Sequence, residues 1–559
     1  MDVVTLALAK SYTNKFNSQV TDIAPTSDGT GLIFTVVGGQ TFTISIGDWN
    51  ALTDDEKNKI SVIDNSGDGN KYLSNNGTYK ELIYTDNNFT NEEKEKISTN
   101  TSNITLLDSQ ILQLSNYVEY FPNNVVGVHV DFQNMEFDRL AGAENLTMGA
   151  DFNKFNMYGG RKRCLLTDNG VVIAYNDGTK YICNDTNKTI ITLENGESGL
   201  LTTEVTVGGN VYPIGTQIQV MVEQPKFYYK VVPIKLDKQT DGIGYHLRSA
   251  NYYVSDYEYN GFKIHPAFVS NGKENNFIYL SAYEGCTFDT SASVYKLNDA
   301  QDVDWTNDTL ASICGAKPAS GKTQDLTRPN LNQICMNRGA GWYSDTIKAE
   351  SANQMLMIIE MGMMNSQTAI GQGVVNVIDN PNTENNSIVT GGTSALGNGT
   401  GQATGTSGLV SVSYRGVENP WGNIWKFIHG VNIWGDGTLG GGVPYYATDF
   451  NFAESKRTDN YVSAGFSCAN ASSYISAIGY APECDWMFIG SECLGNSSVP
   501  VGDYQWTTPN LNSYRIARLG GSWYDGSSAG AFCWSLSTGV GTRYRSVGGR
   551  LVYVPSNAV

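Results

Sequence analysis

Residues 518–554 read RLGGSWYDGSSAGAFCWSLSTGVGTRYRSVGGRLVYV. The stretch opens and closes on strand-like runs, Gly520 to Trp523 and Gly549 to Val554. Small and polar residues with isolated aromatics lie between them. That pattern fits exposed recognition loops carried on two framework strands. A second aromatic cluster precedes it, VSYRGVENPWGNIWKFIHG at 412–430. There Trp421, Trp425 and Phe427 surround Gly422-Asn423, which reads as a tight turn entering an aromatic strand. Eight of the ten Trp lie beyond residue 340, so the C-terminal portion, 219–559, stands apart in composition.

Working outward, two helices are expected in that portion. One covers about 329–338 and ends at Gly339. The other covers about 350–364, where Met355, Ile358, Ile359 and Gly362 or Met363 follow helical spacing, with the methionines filling core. Gly/Thr/Ser-rich segments at 390–408 and 435–442 read as loops. Residues 122–218 show short strands and turns. Asp168-Asn169-Gly170 and Asn176-Asp177-Gly178 bracket VVIAY as hairpin turns, and the spacing suggests a β-sandwich or barrel.

The first 121 residues are modular. Residues 1–19 read as an anchoring segment and 20–88 as small β modules. Gly38-Gly39 sits between two alternating runs there, a hairpin signal. LTDDEKNKI (52–60) and FTNEEKEKI (89–97) repeat at an offset of 37. Each carries a capping box, Thr53/Glu56 and Thr90/Glu93. The second copy continues as heptads over 89–121. Ile97, Ile104, Ile111 and Val118 occupy one seam position, and Asn100, Leu107, Leu114 and Phe121 the other. That spacing of 3.5 predicts a coiled-coil stalk of about 46 Å. Ile at a with Leu at d nominally suits a dimer.

Composition limits function. The chain has 559 residues and a formal net charge of −18, which opposes general nucleic-acid binding and attraction to anionic membranes. No run is long and apolar enough for a bilayer span, and MDVVTLALAK does not make a secretory signal. Nine Cys without a CxxC pair suggest neither a disulfide framework nor a zinc site, and fit synthesis in a reducing cytosol. The phosphate-loop look of GAKPASGKT (315–323) fails, because Ala316 stands where Gly is needed and Pro318 removes a donor. DNSGDG (64–69) fails as a calcium loop, with Asn75 in place of the twelfth-position Glu. His129, His246, His265 and His429 are dispersed, and no carboxylate pair stands out for glycoside hydrolysis.

Two clusters carry a resemblance. NPWGNIWKF, together with GGSW followed by RYRSVGGRLV, resembles the formylglycine-generating-enzyme-like branch of the C-type lectin fold. NRGAGWYS (337–344) is similar to the aromatic turn before its second helix. The match covers roughly 330–554. That branch includes phage receptor-binding proteins diversified between the corresponding strands. A wider set, GVHVDFQNMEFDRLAGA, KFNMYGGRKRC, VMVEQPKFYYKVVP, HPAF and IYLSAYEG, is similar to fibre proteins of tailed phages, notably of gut bacteria. KYLSNNGTYKEL (71–82) looks like a linker element of such fibres.

The resemblance implies a mostly β, multidomain chain with an α+β head. Its parts are small β modules, a short coiled-coil stalk, a β-rich domain at 122–218 and a C-type-lectin-like head at 219–559. It implies a homotrimeric virion fibre, made in the host cytoplasm. The N-terminal region meets other virion proteins, and the head binds a host-surface glycan or protein. No nucleic acid, membrane insertion, catalysis or cofactor is expected. The branch's copper chemistry needs paired thiols where Cys533 stands alone, and no calcium ion is assignable. The receptor surface is assigned to Trp523, Tyr524, Asp525, Ser527, Ser528, Trp534, Ser535 and Tyr544, against a competing placement of Trp523 and Trp534 in the core. Arg518, Arg543 and Arg550 are expected to be structural. The alternatives are a decoration fibre without host recognition, or a fibre that depolymerises polysaccharide.

Overall fold

The computed structural model describes residues 121–555, apart from 299–301, 322–323, 382–384 and 499. Before them it describes chiefly the backbone of the strands between residues 20 and 81. The chain divides into two compact units, Met1–Glu119 and Tyr120–Val559. In the first unit, strands Val20–Pro25, Gly31–Val36 and Thr41–Ser45 form an antiparallel meander with Phe34 in register with Phe42. The second pairing is the one that Gly38-Gly39 announced. Lys71–Leu73 pairs with Tyr79–Glu81.

The stalk residues Ile97, Asn100, Ile104, Leu107, Ile111, Leu114 and Val118 lie outside the described residues, as does the anchoring segment 1–19. Phe121 is the one seam residue that is described. Its ring packs 4.3 Å from that of Tyr253 and 6.3 Å from that of Phe262, at the margin of the second unit. This large apolar ring directly before Pro122 is half-buried against its own unit.

The second unit is mostly β. Its first large sheet runs Ile190–Thr192, Lys180–Cys183, Val172–Asn176, Lys162–Thr167, Ile218–Pro225, Phe277–Ser281, Leu551–Tyr553, Trp342–Ser344. The hairpin turns at Gly170 and Gly178 stand where expected, with φ of +78° and +105° that favour glycine. No boundary falls at 218/219, however. Strand Ile218–Pro225 pairs with Lys162–Thr167 on one side and Phe277–Ser281 on the other. All eight of its residues are buried, as a central strand covered on both faces requires. The strands assigned to a separate β domain therefore complete the same sheet as the end of the supposed head.

Both helices form. Arg328–Met336 is capped by Thr327, whose Oγ1 accepts from Asn330 N, and starts with Pro329 in its first turn. Ile347–Met361 is capped by Thr346 and stopped by Gly362 at φ +66°. It is buried on nearly all sides, so Met355, Met357 and Met361 are core. Beside it lies the sheet that carries the site. Its order is Tyr461–Ser463, Val443–Ala447, Trp425–Asp436, Asn512–Leu519, Trp534–Thr538, Tyr504–Trp506, Ser473–Tyr474, with Val547–Gly548 added parallel to Trp425–Lys426. Among the described residues no helix is long and apolar enough to cross a membrane.

Candidate functional site

The site grows from four adjacent strands of that sheet. Phe427 pairs with Arg518, Arg518 with Ser535, and Ser535 with Trp506. Side chains alternate across a strand. Ala517, Leu519, Trp534 and Leu536 thus enter the main core. Ile516, Arg518 and Ser535 take the other face, with Trp425 and Phe427. On that face the second core cluster opens into a cavity of about 490 Å³. Arg518, Ser535, Trp425 and Trp506 form its floor and wall.

Two loops supply the rim. The chain does not run as a strand through Gly520 to Trp523. The strand ends at Leu519, and Gly520 and Gly521 take φ of +101° and +81°. Such values are accessible mainly to glycine and turn the chain out of the sheet. Asp525 then closes a turn by accepting from Ser522 N at 2.7 Å and Ser522 Oγ at 2.8 Å. This brings Tyr524 and Asp525 to the rim. The opposite side is the loop Arg543–Ser546. Gly321 N donates to the carbonyls of Tyr544 and Val547 at 3.1 Å, and Trp425 N to that of Ser546 at 2.9 Å. A more open depression of about 460 Å³ continues over Gly539–Tyr544.

Of the eight residues assigned from sequence, the cavity gathers Tyr524, Asp525, Ser535 and Tyr544. Trp523 and Trp534 are wholly buried, so the core placement holds for both. Trp523 packs on Val374 and Ile424 and donates Nε1–H to Asp379 at 2.9 Å. Trp534 donates to the Phe488 carbonyl at 2.7 Å. Strand parity makes it impossible for Trp534 and its neighbour Ser535 to share one face. Ser527 and Ser528 lie off the cavity, with Ser527 Oγ 3.2 Å from the Tyr474 hydroxyl. Of the three arginines expected to be structural, Arg550 binds the carbonyls of Glu418 and Asn419, and Arg543 pairs with Asp325 while also lining the cavity. Arg518 instead faces the cavity.

Sequence reasoning missed Trp506, Arg518 and Arg545 as site residues. The alternation of Ile516, Arg518 and Ser535 against their apolar neighbours held the signal for Arg518. Nothing local marks Trp506, which reaches the cavity because its short strand pairs in parallel with Trp534–Thr538.

Aromatic rings line the path from this cavity. Trp506 meets Trp425 edge-on at 5.5 Å and Tyr504 at 4.4 Å, and Tyr504 meets Tyr474 at 5.1 Å. Tyr524 and Tyr544 are exposed, at 48% and 54%. The Arg518 guanidinium lies 5.2 Å from the Trp425 ring and 5.9 Å from that of Tyr544. Burial lowers its pKa to about 10 and raises that of Asp525. Cys533, beneath the site, is fully buried, and burial raises its thiol.

The structure also joins Ser344, His429 and Glu454, which the sequence did not suggest. Ser344 Oγ hydrogen-bonds His429 Nδ1, and His429 Nε2 lies 3.7 Å from Glu454. Ser344 and His429 are both wholly buried, and burial holds the imidazole well below its usual pKa. The hydroxyl has no open face for a substrate. Among the described residues no group of three or more His, Cys, Asp or Glu is placed to hold a metal ion.

No family model and no curated protein matches the chain. Among solved structures it is similar to Major Tropism Determinant variants. The P3c variant is 12% identical over 70% of this chain and 86% of that one, with a TM-score of 0.25. The U1 variant is 12% identical over 76% and 94%, with a TM-score of 0.25. The I1 variant gives 12%, 76%, 94% and 0.26.

Proposed function

We propose that this chain is a non-enzymatic receptor-binding fibre protein of a tailed phage, and that the cavity between Tyr524 and Tyr544 is where it meets the host surface. The observation that carries this reading is the site itself. A concavity of ligand size, about 490 Å³, is rimmed by exposed aromatic rings and holds a few convergent polar groups on a rigid sheet. Exposed Tyr and half-buried Trp give rigid contact area at small entropic cost. The sequence resemblance to phage fibres and to the lectin-like branch agrees with it.

In this reading the N-terminal modules attach to the virion and the heptads at 97–118 trimerise the chain. The head is the C-type-lectin-like part, now running from residue 120 rather than from 219. Three linked sites would raise apparent affinity by roughly 10²–10⁴. The test is adsorption of the purified full-length chain to cells of the host bacterium. Tyr524→Ala with Tyr544→Ala should abolish adsorption while the melting temperature stays put, since both side chains are exposed. Adsorption that survives the double change places receptor binding elsewhere.

A further inference from the structure

Arg518 is 8% exposed, sits in the middle of a sheet, and lines the cavity. A guanidinium has five N–H donors. Here one hydrogen bond is made, from Nη2 to Ser535 Oγ at 2.8 Å. Nε is buried and finds no acceptor, and among the described residues no carboxylate lies within ion-pair distance. Asp525, the one acid lining the cavity, commits its Oδ2 to Ser522. The other two lining arginines are engaged from outside. Arg543 pairs with Asp325 and Arg545 with Asp379. A buried, underbonded cation is costly unless an anion answers it. The lining thus holds three Arg and one Asp, on a chain whose net charge is −18. Asp525 acts on Arg518 only from beyond ion-pair distance, so a guanidinium without a contacting carboxylate calls for one singly charged, planar acceptor.

We propose that the cavity binds an acidic sugar, with its carboxylate on the Arg518 guanidinium and its ring against Trp506 and Tyr544. The inference rests on the receptor-binding reading and specifies its ligand class. The rings suit the apolar face of a pyranose, and Ser535, Ser537 and Asp525 offer hydroxyl partners. A neutral sugar would fill the same space and leave Arg518 without a contacting anion.

The test uses the full-length chain and immobilised oligosaccharides ending in galacturonate, glucuronate or sialic acid, each beside its methyl ester. The ester keeps the ring and removes the charge. At least one free acid should bind about tenfold or more tighter than its ester, the scale of a charge-assisted hydrogen bond. Arg518→Gln should erase that difference, and Tyr544→Ala should weaken acid and ester alike. If Arg518→Gln fails to fold by circular dichroism, Arg518→Lys serves. It keeps the charge without the fork and should lose most of the preference. Acid and ester binding equally, or a sulfated sugar outcompeting every carboxylated one, overturns the inference. If no acidic sugar binds while the chain still adsorbs to host cells through Tyr524 and Tyr544, the ligand class is wrong and the receptor reading stands. If neither occurs, both are wrong.

Discussion

Glu360→Gln should be the most damaging isosteric change in the second unit. Glu360 lies in the last turn of the long buried helix and is wholly buried. Arg415 Nε and Nη2 each donate to it at 2.6 Å. The Tyr414 hydroxyl and Gly149 N also donate, at 2.9 and 3.0 Å. Every group around the carboxylate is therefore a donor. A carboxamide would remove the charge that balances Arg415 and point its own NH₂ at another donor. Arg415 in turn holds the carbonyls of Gly149 and Tyr158, so the loss spreads to the 149–158 segment. Breaking one partner of a buried ion pair costs about 3–5 kcal/mol. An unfolding entropy of about 2.1 cal/mol/K per residue over the roughly 440 residues of the unit is ~0.9 kcal/mol/K, so the melting temperature should fall by about 3–5 °C. Scanning calorimetry of the full-length chain reads this directly. The double variant Glu360→Leu/Arg415→Met, which removes both charges, should recover part of the loss. A fall of under about 1 °C for Glu360→Gln, or simple additivity of Glu360→Gln and Arg415→Gln, would refute the reasoning.

Other outcomes follow from the same geometry. A Cβ at Gly321 would fall 2.7 Å from Arg543 Cα and 2.8 Å from Tyr544 N. Gly321→Ala should therefore displace the rim loop and cost about tenfold or more in affinity for whatever the cavity binds, measured by titration calorimetry, with little change in melting. Burial pushes the Cys286 thiol up to about 12 from an ordinary 9.0. Since the folded value is the higher one, its contribution is fully present below pH 9 and is lost as pH climbs from 9 towards 12. Cys286→Ala should flatten the alkaline fall in melting temperature over that window, and an unchanged slope would count against it. Light scattering should give the full-length chain a mass three times 60.8 kDa. Deleting 89–119, which spares Phe121, should bring it to the monomer, and a monomer before deletion would remove the stalk.

Local features were legible in the sequence and distant ones were not. The turns at Gly170 and Gly178 and the existence of the two helices depend on a few neighbouring residues and stand where expected, whereas the second helix stops at Gly362, inside the span that its spacing predicts. The boundary at 218/219 failed because composition changes there while hydrogen bonding does not. Ile218–Pro225 finds its partners about 55 residues on either side, a distance that no local pattern encodes. The candidate site divided along strand parity. Tyr524, Asp525, Ser535 and Tyr544 were readable as polar or amphipathic residues between framework strands, whereas Trp523 and Trp534 look identical in sequence whether they face solvent or core. Trp506 needed the parallel pairing, whereas strand alternation carried a signal for Arg518.

Strand Leu551–Tyr553 lies between Phe277–Ser281 and Trp342–Ser344, two strands made much earlier on the ribosome. Until it arrives, those two present unpaired edges to solvent. A nascent or prematurely stopped chain would be a sticky half-sheet, prone to pair with its siblings emerging from the same messenger. Only a chain translated through residue 553 can close the gap. The sheet is therefore completed last, by the strand that follows the rim loop Arg543–Ser546 in the chain.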